Sequence, residues 1–284
     1  MSSCAPRSTK SGPVTEQPKS GPITEQPKSG PVTEREFLDY WAEHLLDPRD
    51  PQNERWLGLE MQQIDRGATL AGELAQHVIF ANARVLDVGC QTAGLAIAMA
   101  KRGAQVTGVD VDATLIRSAE IRARCHGIEN ATFSVAEGEK LPFPTGQFDV
   151  VTFVDVIEHV RDANRALREV ARVLAPGGTL FLQGPNRFSP RWFASDPHYR
   201  MAGISVLPPA LGRFYVTKVR GRPRYDVGVF PVGSRVVSLL ERLGFDIDTP
   251  RTPANAFARA RHEIALRFGS MFVIRARKTR IVTA

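Results

Sequence analysis

The sequence predicts a doubly wound α/β sheet, and three observations carry that expectation. Short apolar runs alternate with helical stretches through residues 83–184, two of those helices close on a glycine, and the apolar runs lead into acidic residues. Strands that alternate with helices of this length build βαβ units and a parallel sheet. Such units connect with a right-handed crossover.

The elements follow in order. "ARVLDVG" (83–89) has the apolar run of a buried strand, and "AGLAIAMAKRG" (93–103) that of a helix stopped by glycine. "AQVTGVD" (104–110) is a strand and "ATLIRSAEIRARCHG" (113–127) a second glycine-terminated helix. "ATFSVAE" (131–137) and "FDVVTFVD" (148–155) are strands, and "ANRALREVARVL" (163–174) is a helix. "APGG" (175–178) turns the chain into the strand "TLFLQG" (179–184). "SRVVSLLERLG" (234–244) is helical, and "FDID" (245–248) and "SMFVIRA" (270–276) are the final strands.

What precedes this core differs in kind. "SGPVTEQPK" (11–19), "SGPITEQPK" (20–28) and "SGPVTEREF" (29–37) repeat with a period of nine. One β-branched apolar residue per unit cannot bury enough surface to offset ordering entropy. Residues 1–33 are therefore expected to form a disordered tail. From Glu34 the pattern turns helical, with Phe37, Tyr40, Trp41 and Leu45 on one face. "DPRDP" (47–51) breaks that helix, and a second helical stretch runs from about Glu54 to Phe80, interrupted near Gly67 and Gly72. Residues 34–82 could cover the C-terminal edge of the sheet as a lid. The domain proper spans residues 83–284.

Composition bounds the setting. The chain has 284 residues, 43% hydrophobic, enough for one large domain plus extras. Three scattered cysteines, Cys4, Cys90 and Cys125, give no disulfide framework. With no apolar leader and no spanning run, the expectation is a cytoplasmic protein. The net charge is +7, and eight of the cations lie between Arg187 and Arg224, opposed only by Asp196. A basic face favours an anionic partner, such as a phosphate, a sugar acid, a membrane surface or nucleic acid.

Ligands of open α/β sheets bind beyond the C-terminal strand ends. The predicted strands deliver Asp87, Asp110, Glu137 and Asp155 to that rim. Four carboxylates there would repel one another unless the ligand brought hydroxyls, amines or positive charge. The loop Gly89-Cys90-Gln91-Thr92-Ala93-Gly94 follows the first strand. Gln91 stands where a dinucleotide fingerprint has the glycine that lets backbone approach a pyrophosphate. A cofactor without phosphates suits the rim better. S-adenosylmethionine would place its ammonium near Asp87, its ribose diol at Asp110 and its carboxylate near helix N-terminal amides.

These residues carry a resemblance. Residues 83–184 resemble the class I S-adenosylmethionine-dependent methyltransferases, and within them the type 11 group that includes the ubiquinone-biosynthesis methyltransferases. "VLDVGCQTAG" (85–94) is similar to the group's first motif and "VTGVD" to its second-strand motif. "AEGEKLPFPTGQFDVV" (136–151), "VIEHV" (156–160) and "VLAPGG" (173–178) complete the set in order. Gln91 and Ala93 depart from it by replacing glycines. The resemblance implies a mostly parallel seven-stranded sheet with an antiparallel last strand, and S-adenosylmethionine as cofactor. It implies a cofactor site of Asp87, Gly89, Cys90, Gln91, Gly94, Asp110, Val111, Glu137, Gly138 and Asp155, with Glu137 at the adenine amino group.

The activity expected is methyl transfer to a small-molecule acceptor, as O-methylation in secondary-metabolite, quinone or glycan biosynthesis. The alternatives are RNA methylation and a non-catalytic, cofactor-binding scaffold. A hydroxyl acceptor must lose its proton, and His159 is placed to take it, since an imidazole's ordinary pKa near ~6.5 suits that task. No metal is expected, although Asp155, Glu158 and His159 at i, i+3, i+4 could place three ligands on one helical face. The insertion at residues 185–232, rich in aromatic and basic residues, is expected to wall the substrate side, with His198 and Tyr199 as candidate contacts. A small, possibly anionic substrate is favoured over nucleic acid because no RNA-binding motif is appended. Peripheral membrane contact is compatible with the basic surface.

Overall fold

The computed structural model describes residues 33–247, 264 and 268–279. The nine-residue repeat through residue 32, Cys4, His262 and residue 248 of the "FDID" run lie outside them.

Seven strands form one sheet: β1 (Arg84–Val88), β2 (Gln105–Asp110), β3 (Ala131–Val135), β4 (Phe148–Val154), β5 (Leu174–Pro185), β6 (Phe245–Ile247) and β7 (Met271–Lys278). Their order is β3-β2-β1-β4-β5-β7-β6. β1 through β5 pair in parallel, and β7 inserts antiparallel between β5 and β6. The sheet is thus mixed at one edge, as expected.

The helices are α1 (Glu34–Leu45), α2 (Asn53–Met61), α3 (Gln63–Leu74), α4 (Gly94–Ala100), α5 (Ala113–Cys125), α6 (Ala163–Val173), α7 (Pro190–Ala194), α8 (Pro209–Arg213) and α9 (Gly233–Arg242). Local chemistry sets their ends. Thr33 and Glu36 form a capping box at α1, with the Glu36 amide donating to Thr33 Oγ1 at 3.2 Å. Asp112 and Asp162 cap α5 and α6 by accepting from first-turn amides. At the far end of α6, buried Lys278 donates to the carbonyls of Ala171 (2.6 Å) and Leu174 (2.7 Å), a cation at the negative helix end.

Each sheet face buries its own apolar layer. On one face Val236, Leu239, Leu240 and Leu243, at i, i+3, i+4, i+7 along α9 and its end, join Leu167 and Val170 of α6 against β4, β5 and β7. On the other, Ala71 and Leu74 of α3 join Ala96, Ile97 and Met99 of α4 against Val85, Val106 and Val150.

Three local expectations change. The break between α2 and α3 falls at Gln62, not at a glycine. Gly67 lies inside α3 because its backbone packs directly on Gly94, where any Cβ would overlap the Gly94 carbonyl. "APGG" is not a separate turn but the first part of β5, where the ladder with β4 shifts register between Phe148 and Val150. "VIEHV" after β4 is a turn, not a helix, so Asp155, Glu158 and His159 share no helical face.

Candidate active site at the carboxyl rim

The site begins where β1 stops. Gly89 has φ of +71°, and a Cβ there would overlap the Val156 side chain, so backbone and packing both require glycine. Its amide and that of Cys90 donate to Val109 O at 2.7 and 3.0 Å, tying the loop to β2. Gln91 and Ala93 take φ of +47° and +67°. Left-handed backbone costs an ordinary residue about 1–2 kcal/mol, so this loop is strained at two positions. Gly94 opens α4 underneath α3, where its own Cβ would overlap Gln63 O.

Asp110 closes β2 beside this loop. Its Oδ2 accepts from the Gln91 amide and its Oδ1 from the Asp112 amide, both at 3.1 Å. The carboxyl is held in one orientation, with lone pairs left over. Burial pushes its pKa up, against the pull of those amides. Val111, next along, is largely exposed and offers an apolar surface at the rim.

The four acids do not stand in one ring. Asp87 is buried within β1, accepting from Thr152 Oγ1 at 2.6 Å. Desolvation, and the nearby charge of Asp110, push its pKa up to about 7. Asp155 has φ of +55° and bonds to Arg66 of α3 and Gln183 of β5. Glu137 lies two residues past β3, exposed, 3.8 Å from Arg161. Gly138 is buried against Val88 and Phe153. The four carboxyls thus meet different surroundings: Asp87 is buried on Thr152, Asp110 accepts two amides, Asp155 pairs with Arg66 and Glu137 is exposed beside Arg161.

Beyond β4 a second cluster forms. Glu158 is 1% exposed, and its Oε1 lies 3.9 Å from His159 Nε2 and 3.8 Å from His198 Nε2. The two imidazoles meet edge to face, Nε2 to Nε2 at 3.2 Å. His159 Nδ1 lies 3.0 Å from Asp226 O. A carbonyl only accepts, so Nδ1 carries the proton and Nε2 is the basic nitrogen. Desolvation, then the charge of His159, lowers the His198 pKa to about 3, so His198 is neutral. Its Nε2–H donates to His159, and its Nδ1, 4.0 Å from Asp196 Oδ1, has no hydrogen-bond partner among the described residues. Glu158 is pushed up to about 7 by burial, against the pull of His159, and its Oε2 is likewise unpartnered.

His198 comes from the insertion, where buried Asp196 accepts from the amides of His198, Tyr199 and Met201 and fixes the bend. Its carbonyl accepts from Arg55 of α2 at 3.0 Å. Tyr199 faces the other way: its hydroxyl bonds Asp226 and its ring stacks on Tyr225. Glu158, His159 and His198 are the one group of three or more potential metal ligands within coordinating reach among the described residues. Asp155 is not in it.

Sequence reasoning missed Arg66 and the approach of His198 to His159. Arg66 is 89 residues from Asp155 and His198 is 39 from His159. No local periodicity reports such pairs.

The sheet order, the glycine loop and Asp110 at the end of β2 agree with the class I methyltransferase fold that the sequence resembles. Residues 86–182 match the family model described as a methyltransferase domain. The chain is 44% identical over 118 residues to a ubiquinone biosynthesis O-methyltransferase of Xanthomonas oryzae pv. oryzae, covering 40% of this chain and 47% of that one. It is 31% identical over 187 residues to a protein of the same name from Sodalis glossinidius, covering 66% and 64%. The chain thus spans about half the length of the Xanthomonas relative. A Mesorhizobium loti structure titled as an S-adenosylmethionine-dependent methyltransferase superposes with TM-score 0.54 at 21% identity, over 75% of this chain and 99% of that one. The cyclase SpnF superposes with TM-score 0.51 at 24% identity, over 74% and 80%. At those identities the likeness is one of fold, and a fold hosts more than one chemistry.

Proposed function

We propose that the protein is an S-adenosylmethionine-dependent methyltransferase that methylates an oxygen of a small molecule. The carrying observation is the pair of features at one rim: Asp110, oriented by two amides, and His159, whose basic Nε2 is aimed by Asp226.

The rim's donor set fits the cofactor. Asp110 has free lone pairs for a ribose diol, and exposed Val111 suits an adenine face. Arg66 supplies a cation for a carboxylate. α3 covers the N-terminus of α4, so that charge takes the place of the helix amides expected from sequence. Glu137 and the Gly138 backbone line the adenine side, and Asp87, Gly89 and Cys90 hold the loop beneath. When bound, S-adenosylmethionine supplies a methyl group on a sulfonium.

His159 Nε2 then accepts the acceptor's hydroxyl proton once the substrate displaces His198 Nε2–H from it. Neutral His198 avoids placing a second positive charge beside the protonated base. Glu158 gains from that charge and ionises more readily when His159 is protonated. The insertion packs a core of Tyr199, Met201, Val216, Tyr225 and Phe230 beside His198, a wall that limits water around the reacting pair.

The names of the relatives favour a phenolic or quinone-related acceptor. The insertion's cations without a carboxylate in ion-pair distance among the described residues favour an anionic acceptor or an anionic surface nearby. Two free cysteines, Cys90 and Cys125, suit the cytoplasm. Among the described residues no helix is long and apolar enough to cross a membrane. Calorimetry with S-adenosylmethionine and its demethylated product, followed by turnover of phenolic acceptors, tests the reading. Binding of NAD with no response to either ligand overturns it.

A further inference from the structure

We propose that Arg122 and Glu60 hold the cofactor loop in its strained shape through Thr92, standing in for the glycines that this loop lacks. The inference rests on the reading of residues 89–94 as the cofactor loop.

Arg122 of α5 is wholly buried, an unusual place for a guanidinium. Four groups surround it. It donates to Glu34 of α1 at 2.6 Å, to both the side chain and the carbonyl of Glu60 in α2, and to Thr92 Oγ1 at 3.0 Å. Its guanidinium lies 4.1 Å from the centroid of the Phe37 ring. Thr92 in turn donates to Glu60 Oε1 at 2.7 Å. Glu60 and Thr92 are themselves buried. One guanidinium thus gathers α1, α2, α5 and the middle of the loop into a closed polar knot.

Thr92 stands between Gln91 and Ala93, the two residues in left-handed backbone. Such conformations persist only where the surroundings over-determine them. The surroundings here are the N-terminal helices. Gln63 Nε2 lies 3.3 Å from Gln91 Oε1, Ala93 is fully buried, and Gly67 presses on Gly94. Among the described residues the Thr92 side chain bonds only within the knot, while the loop's other anchors are the amides of Gly89, Cys90 and Gln91 and the Ala93 amide, which donates to Cys90 O at 2.8 Å. Asp110 receives the Gln91 amide, so a relaxed loop would also turn the carboxyl that faces the ribose. Arg122, Glu60 and Thr92 are positioning residues: they act on the cofactor through the loop.

The test is a cycle in the full chain. Thr92→Val keeps the shape and removes both bonds. It should weaken binding of S-adenosylhomocysteine about tenfold, because the two bonds to charged groups that are lost reach the cofactor only in part, through the loop. The same change should cost about twofold in a Gln91→Gly, Ala93→Gly background, where the left-handed backbone is no longer strained. A knot that merely stabilises the fold would cost the same in both backgrounds, and equal costs overturn the proposal. Glu60→Gln repeats the cycle with the packing preserved. Hydrogen exchange of the Ala93 and Ile97 amides in the ligand-free protein gives a readout independent of the cofactor. It should speed up about tenfold in Thr92→Val, and unchanged exchange overturns the proposal. A wild-type chain that does not bind S-adenosylhomocysteine, together with faster exchange in Thr92→Val, would sink the cofactor reading while upholding the knot.

Discussion

At the scale of single residues, the site is organised by where protons sit. Asp110→Ala should weaken cofactor binding tenfold to a hundredfold, since hydrogen bonds to charged groups contribute about 1.5–3 kcal/mol. Asp110→Asn keeps one acceptor and should fall between. Unchanged affinity in a folded Asp110→Ala removes the ribose assignment. His159→Ala should leave cofactor affinity intact and lower turnover about a hundredfold. The loss should shrink for acceptors already ionised, and normal turnover would leave His159 with packing alone. Glu158 carries a pH signature. Its pKa is raised by burial from 4.5 to about 7 in the fold, so the folded state holds its proton more tightly than the unfolded chain. That contribution is complete below about pH 4.5 and is lost as pH rises through about 7. Glu158→Gln cannot ionise, so its melting temperature relative to wild type should rise across this window. A constant difference between the two melting curves contradicts the burial argument. Much of this site was legible in the sequence, because motif spacing marks Asp110 and His159. What spacing cannot show is partnership across the fold: Asp155 drew attention as an acid, but the guanidinium that occupies it comes from α3.

Among elements, the strands were the easiest to read. β1 and β4 are buried over most of their length and read as runs dominated by apolar residues, a pattern that needs no tertiary context. The helix breaks were harder. Gly67 looked like an interruption because glycine lowers helix propensity by about 1 kcal/mol, but close packing on Gly94 offsets that cost. "APGG" looked like a turn because proline and glycine punctuate chains, yet Leu174 before it pairs with Phe148 and Thr179 after it with Val150, which keeps it within β5. The apolar stripe of α9 was plain in sequence, and it supports a stability prediction. Leu240 is fully buried between the helix and the sheet. Leu240→Ala should destabilise the fold by about 2–5 kcal/mol, the cost of lost transfer energy plus a cavity. Chemical denaturation measures it, and a loss below about 1 kcal/mol would mean that α9 packs more loosely than its burial implies.

Over the molecule as a whole, charge is distributed less evenly than apolar surface. Between Asp196 and Asp226 the chain has six cations and no acid. Arg222 pairs with Asp50 and Arg224 with Asp226, but Arg213, Lys218 and Arg220 have no carboxylate within ion-pair distance among the described residues. These three lie on α8 and the π-helical segment Phe214–Val219 or directly after it. Leu211, Phe214 and Val219 on the same stretch are each more than half exposed, while Val216 is buried beneath them. Apolar side chains among cations are what an anionic lipid surface binds, and a polybasic segment gains about 1 kcal/mol per cation near such a surface. Vesicles of phosphatidylglycerol should therefore bind the protein, and phosphatidylcholine vesicles should bind it far less. Replacing Arg213, Lys218 and Arg220 together by Ser should weaken that binding about a hundredfold at low salt. Leu211→Ser with Phe214→Ser should also weaken it but leave the salt dependence in place, because the apolar and ionic contributions act separately. Binding that ignores lipid charge, or survives the triple substitution, removes the membrane from this reading. Salt-sensitive retention by single-stranded RNA without vesicle binding would assign the same cations to nucleic acid instead.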